Sequence, residues 1–174
     1  MGLLAKLANG LVLVGVASMG LVAGRTEVTP LVSAAFAAEV HALESSAARE
    51  GTPDAIRQLA TAYLDRNEPG LATAVLEGAP AAARRDPGVA YAEARALYGR
   101  GRSTEALAVL RGVERQCAGQ DCPAWLIVKT ARQTSFLEAL HAVGVEDPAA
   151  HPELAREALE RTRRQGRVVA IAMR

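Results

Sequence analysis

From Leu7 to Gly24 the chain carries no charge, an 18-residue apolar run bounded by Lys6 and Arg25. Beyond it, apolar positions recur three and four apart, which is the spacing of one helical face. Val32, Phe36, Val40, Leu43 and Ala47 form the first such stripe and predict a helix over 31–47. Thr52-Pro53-Asp54 and Asp86-Pro87 each set a capping side chain before a proline at the first helical position. Asn67-Glu68-Pro69-Gly70 and Gly99-Arg100-Gly101-Arg102-Ser103 then break each stretch into two helices. Residues 123–142 read as helical, either running through Thr134-Ser135 or breaking there, with Trp125 near the start. A last helix is expected from Asp147-Pro148 to near Gly166. The end, Val168–Met173, is apolar and β-prone, suited to packing on that helix or to adding a strand to a partner.

The middle of the chain repeats itself. Residues 53–78 set against 87–112, a shift of 34, share nine of 26 positions. The matches include Pro53/Pro87, Ala60/Ala94, Arg66/Arg100, Ala72/Ala106, Leu76/Leu110 and Gly78/Gly112. Alanine richness inflates such a count, but the proline, arginine, leucine and glycine matches do not come from alanine. Each unit is two helices and a turn, too small to bury its own apolar face, so stacking is required.

The unit resembles the tetratricopeptide repeat, which has this length and this pair of antiparallel helices. The bulky residue early in the family's first helix is matched by Ile56 and Ala90, and its Leu-Gly pair by Leu59-Ala60 and Glu93-Ala94. Its tyrosine corresponds to Tyr63 and Leu97, and the small and large residues of its second helix to Ala72/Ala106 and Leu76/Leu110. The family's late proline falls on Arg84 and Ala118, so it is missing here. The resemblance implies a short right-handed superhelix whose first helices line a groove for a peptide or a helix. Carried over, the groove positions are Arg57, Gln58, Thr61 and Asp65 in the first unit, and Tyr91, Arg95 and Tyr98 in the second. The last three are spaced i, i+4, i+7 and share one helical face. Tyr and Arg are the residue types that dominate interfaces, while burial of both tyrosines under the following helix as ordinary packing is the competing reading.

Composition agrees with an all-α fold. Alanine fills 37 positions and aromatic residues only six, against the usage of a β-sandwich or barrel. The net charge is +1, from 20 basic and 19 acidic residues, and gives no electrostatic reason to invoke nucleic acid. In the last helix, Glu157/Arg161 and Glu160/Arg164 stand at i, i+4, so that arginine run reads as a solvated face.

The apolar run is long for a cleavable signal and short for a spanning helix, and both readings stand, with a buried core helix of a cytosolic protein as a third. Gly10, Gly15, Gly20 and Gly24 lower its hydrophobicity, and cleavage fits after Gly24 or after Ala37. Lipidation is excluded, because Arg25 stands where an acylated cysteine is needed. The expected organisation is a signal peptide or transmembrane anchor over 1–24 and a capping helix over 25–52. Two repeats over 53–118 and a C-terminal helical cap with its apolar tail over 119–174 complete it. Cys117 and Cys122 enclose a loop-like tetrapeptide and suit a structural disulfide in an oxidising compartment, with free thiols the other option.

No nucleophile elbow, phosphate loop, metal motif or nicotinamide fingerprint occurs, and His41, His141 and His151 lack ligand spacing. The expectation is therefore a non-enzyme without cofactor or metal. It would be an exported adaptor or assembly factor of the bacterial cell envelope, periplasmic or anchored in the inner membrane. Its partner would be another envelope protein or peptide, with membrane contact through 7–24 if that segment is retained. The competing reading is a structural subunit that oligomerises through its N-terminal helix and C-terminal tail.

Overall fold

Proline marks where most helices begin, because its missing N–H would be unpaired in the first turn of a helix anyway. The computed structural model describes residues 30–172, with side chains over 37–164. Within them run α1 Pro30–Glu50, α2 Pro53–Asp65, α3 Pro69–Glu77, α4 Ala81–Arg84, α5 Pro87–Gly99, α6 Ser103–Gly119, α7 Ala124–Ala142 and α8 Pro152–Ala172. No strand occurs among the described residues. The apolar run 7–24 lies outside them, and no described helix is long and apolar enough to cross a membrane.

The chain divides into two units, 1–38 and 39–174. Of the first, only the opening turns of α1 are described. In the second, α2 packs on α3, α5 on α6 and α7 on α8, each pair joined by a turn, while α5 also packs on α2 and α6 on α7.

The 34-residue shift seen in the sequence relates the first two pairs in structure. Helices α2 and α5 start at Pro53 and Pro87, and α3 and α6 at Pro69 and Ser103. Thr52 Oγ1 accepts from the Ala55 amide, and Asp86 Oδ1 accepts from Gly88 and Val89, so both expected caps form. The turns match as well. Asn67 has φ 60° and Gly101, 34 residues on, φ 72°, the left-handed conformation that ends a helix. The Glu68 amide returns to the Tyr63 carbonyl as the Arg102 amide returns to Leu97. A side chain at Gly101 would be strained by its φ and would place its Cβ 2.8 Å from Asp147 Cγ.

Alanine sits at the crossings: Ala60, Ala72, Ala94 and Ala106 are each 0% exposed. Around Ala94 and Ala106, Leu107 and Leu110 of α6 pack with Leu137 and Leu140 of α7, Val145, and Ala158 of α8. The first turn of α6 has no capping side chain of its own. Glu146, from the loop after α7, fills that role, with its Oε1 accepting from the Thr104 amide at 3.1 Å. Its carboxylate also meets the positive end of the helix dipole. The third pair is thereby tied to the turn of the second. Tyr63 similarly joins α2 to α1, donating to Glu44 Oε1 at 2.5 Å, while Val40 and Ala47 of α1 are buried.

Two expectations about the last helix need correction, and one connection holds an element that no expectation covered. The α3–α5 connection contains a short helix, α4, which buries Ala83 and was too brief to show a periodic stripe. The last helix starts at Pro152, because Asp147 Oδ1 closes a local turn on the Ala149 amide instead of capping a helix. It also continues past Gly166 to Ala172, so the segment read as β-prone is helical there. A single interior glycine costs a helix only about 1 kcal/mol. Helix α7 runs through Thr134-Ser135 without a break. It buries the Thr130 and Thr134 hydroxyls without a hydrogen-bond partner.

Two stability measurements follow. Leu76 and Leu110 occupy equivalent buried positions, so Leu76→Asp and Leu110→Asp should each cost at least about 3 kcal/mol, read as loss of helical circular dichroism or a large fall in Tm. An unchanged Tm in either would show that the register is wrong.

Alkaline pH provides the second. Hydrogen bonding to the Glu44 carboxylate, with burial next, pushes the Tyr63 phenol from 10.0 up to about 12. The folded state therefore favours the neutral phenol. Its contribution is complete below pH 10 and disappears as the pH rises through about 12. Tyr63→Phe should lower stability at pH 7 by about 1–2 kcal/mol and flatten the decline between those limits. Burial raises Tyr91 and Tyr98 as well, so a smaller slope should persist. An unaltered alkaline slope in Tyr63→Phe would contradict the Tyr63–Glu44 bond.

Candidate protein-binding groove

The first helices of the three pairs, α2, α5 and α7, supply the walls of a hollow of about 450 Å³. Thr61 and Asp65 come from α2, and Tyr91 and Arg95 from α5. Helix α7 adds Lys129, Arg132, Gln133 and Phe136, and Leu159 of α8 closes one side. Each helix contributes positions three or four apart, the condition for one face of a helix to line one side of a groove.

Charge pairing spans the hollow. Arg95 Nη2 donates to Asp65 Oδ1 at 2.9 Å, linking α5 to α2. Lys129 and Arg132 have no ion-pair partner among the described residues. Tyr91 is half-buried, and its phenol is raised by burial and lowered to a smaller degree by Arg95. Burial also raises Tyr98. Both phenols therefore stay neutral near pH 7, able to donate and to accept.

The aromatic rings meet edge to face. Tyr91 lies against Trp125 of α7 with centroids 6.3 Å apart, and Tyr98 against Phe136 at 5.9 Å. The Arg57 guanidinium lies 5.3 Å from the Trp125 ring centroid, and Lys129 Nζ 5.8 Å from it. Arg57 reaches the ring across Gly88 at the start of α5, where a Cβ would stand 3.1 Å from Arg57 Cδ. Asp54 holds the same guanidinium at 2.8 Å. Trp125 remains 40% exposed, so it borders the groove as a wettable ring and is not core.

The structure brings most of the expected site residues together. Thr61, Asp65, Tyr91 and Arg95 line the main hollow. Tyr98 joins Arg95 in an adjoining hollow of about 300 Å³ that also includes Leu64 and Asn67. Arg57 borders the groove through Trp125. Gln58 is exposed and lines neither hollow. Both tyrosines are half-buried and lean on α7.

Sequence reasoning missed the α7 wall. A signal was present: Trp125, Lys129, Arg132 and Phe136 run i, i+4, i+7, i+11, extending the spacing of Tyr91, Arg95 and Tyr98. It went unread because α7 falls outside the 34-residue match.

Another hollow, of about 440 Å³, lies between α3, α5 and α6. It has no aromatic side chain, and Glu77, Glu93 and Glu105 share it with Arg84 and Arg102. Cys117 and Cys122 stand at disulfide distance, Sγ–Sγ 2.08 Å, across the turn from α6 to α7. That turn leads directly into Pro123 and Trp125, so the cysteine pair anchors the end of α7 that borders the groove. No protein-family model, curated protein or solved structure matches this chain.

Proposed function

We propose that this protein is an exported, tetratricopeptide-like adaptor of the bacterial cell envelope, non-catalytic, which holds another protein or peptide in the groove between α2, α5 and α7. The observation that carries the reading is the convergence of Thr61 and Asp65 with Tyr91 and Arg95 on one concave surface. Those are four of the positions that the repeat resemblance assigns to a groove. Helix starts, left-handed turn residues and buried alanines spaced by 34 support the repeat itself. The surface suits a polypeptide because it combines half-buried aromatic faces with hydrogen-bonding groups at its rim.

Export is supported by the uncharged run 7–24 and by the cysteine pair at disulfide distance, a link that persists in oxidising compartments. Depending on cleavage, the protein is periplasmic or held at the inner membrane with its helical domain outside the cytoplasm.

Capture from envelope extract tests the groove. Truncating a central tyrosine or arginine at an interface costs about 2 kcal/mol, roughly thirtyfold in affinity. Tyr91→Ala with Arg95→Ala should abolish capture of the partner while the chain stays helical. Tm should fall modestly, because Tyr91 also packs on Trp125. Arg161→Ala with Arg164→Ala, on exposed ion pairs of α8, should change neither. A folded Tyr91/Arg95 double variant that captures its partner normally would remove the groove from consideration.

Intact mass of protein from the native host tests the compartment. Loss of residues 1–24 or 1–37, or a full-length chain confined to the membrane fraction, is expected. A full-length chain in the soluble cytosol with both thiols open to alkylation would refute export.

A further inference from the structure

We infer that the groove takes an acidic segment, with a carboxylate seated at Lys129 beside Trp125 and a second one toward Arg132. This rests on the groove reading and adds the chemistry of the partner. Arg57, Arg95, Lys129 and Arg132 surround the groove; Arg57 pairs with Asp54 and has Asp86 close by, and Arg95 pairs with Asp65. Lys129 and Arg132 have no ion-pair partner among the described residues and border a concave surface, although the chain as a whole is near neutral at +1. Concave, low-dielectric walls focus such a field.

The Trp125 corner locates the excess. Arg57 and Lys129 both lie within 6 Å of one ring centroid, and only Arg57 has a carboxylate, Asp54, at hydrogen-bond distance. The ring attracts each cation, and Lys129, which has no carboxylate of its own, is left to pair with an incoming one. Arg57 and Tyr91 are equivalent positions of the two repeated units, 34 apart, and both converge on this ring. An incoming segment therefore meets aromatic rings and cationic donors along one border of the groove. Apolar contact is available from Phe136 and Leu159 farther along. The hollow between α3, α5 and α6 has the opposite balance, three carboxylates against two guanidiniums.

Trp125 is the sole tryptophan, so its fluorescence reports this corner directly. The test is to pan a random dodecapeptide phage library on the full, oxidised chain, then measure selected synthetic peptides by anisotropy and by Trp125 quenching. The expected peptides carry two or more Asp or Glu beside an apolar residue. They perturb Trp125 emission and lose more than about tenfold in affinity to Lys129→Glu with Arg132→Glu. Their Glu-to-Gln versions should bind comparably weakly, and added salt should weaken the originals.

Neutral or basic selected peptides, no selection at all, or indifference to the charge reversal would overturn the inference. Among these, peptides that are lost with Tyr91→Ala and Arg95→Ala but ignore charge would leave the groove standing and remove only its acidic preference. Peptides that ignore Tyr91 and Arg95 altogether would remove the groove. Phosphatidylglycerol vesicles provide a parallel arm. Vesicle binding that disappears in the charge-reversed variant, without acidic peptides being selected, would assign the excess charge to a lipid surface and overturn the inference.

Discussion

Close approach of helices at alanine is the constraint on which everything else depends. Ala60 and Ala72 in the first pair, and Ala94 and Ala106 in the second, have no exposed surface. A methyl group at a crossing brings two helix axes toward the short end of the 8–10 Å range. With so little side-chain volume between them, the helices cannot slide or rotate far without clash or void. Short helices thus hold a defined register with few large residues. Leu76 and Leu110, buried at equivalent positions, fill the space beside the crossings.

Because alanine occupies the crossings, the aromatic residues are free for other places. Tyr91, Tyr98, Trp125 and Phe136 all lie along the seam where α5 meets α7, half-buried or exposed, with Tyr91, Tyr98 and Phe136 packed against the edge of the buried core. That seam is the floor and border of the groove. Polar ties then set how the third pair meets the second. Glu146 caps α6 from across the loop, and the cysteine pair spans the turn into α7. Surface ion pairs such as Arg111–Glu138 contribute little by comparison, at most about 1 kcal/mol each. The arrangement separates a packed centre of small buried residues from the large side chains that border the groove.

How much of this was legible depends on the kind of signal. Thr52-Pro53 and Asp86-Pro87 announce helix starts because capping is local chemistry, and both caps form. The 34-residue match was readable because equivalent positions meet equivalent packing. Local signals failed where a residue had competing uses. Asp147 spends its carboxylate on a turn, so the helix expected there begins at Pro152. Helix α4 is four residues long, too short for periodicity to register. The α7 wall was hidden for another reason. Its groove residues follow the spacing of those on α5, but α7 is longer than a repeat helix and drops out of the alignment. That Arg57 and Lys129 share one ring is a tertiary fact, visible only once α2 and α7 are brought together.

The central claim is that α2, α5 and α7 form one surface with Trp125 at its border, and proton NMR of the oxidised protein tests it most directly. Arg57 lies over the indole and Tyr91 stands edge-on to it. The account predicts Overhauser contacts from the Trp125 ring to the Tyr91 ring and to the Arg57 side chain. It also predicts Arg57 Hδ shifts displaced upfield by the ring current, returning toward ordinary values in Trp125→Ala. Arg57 shifts at ordinary values in the wild type, with no contacts between Trp125 and Tyr91, would contradict it.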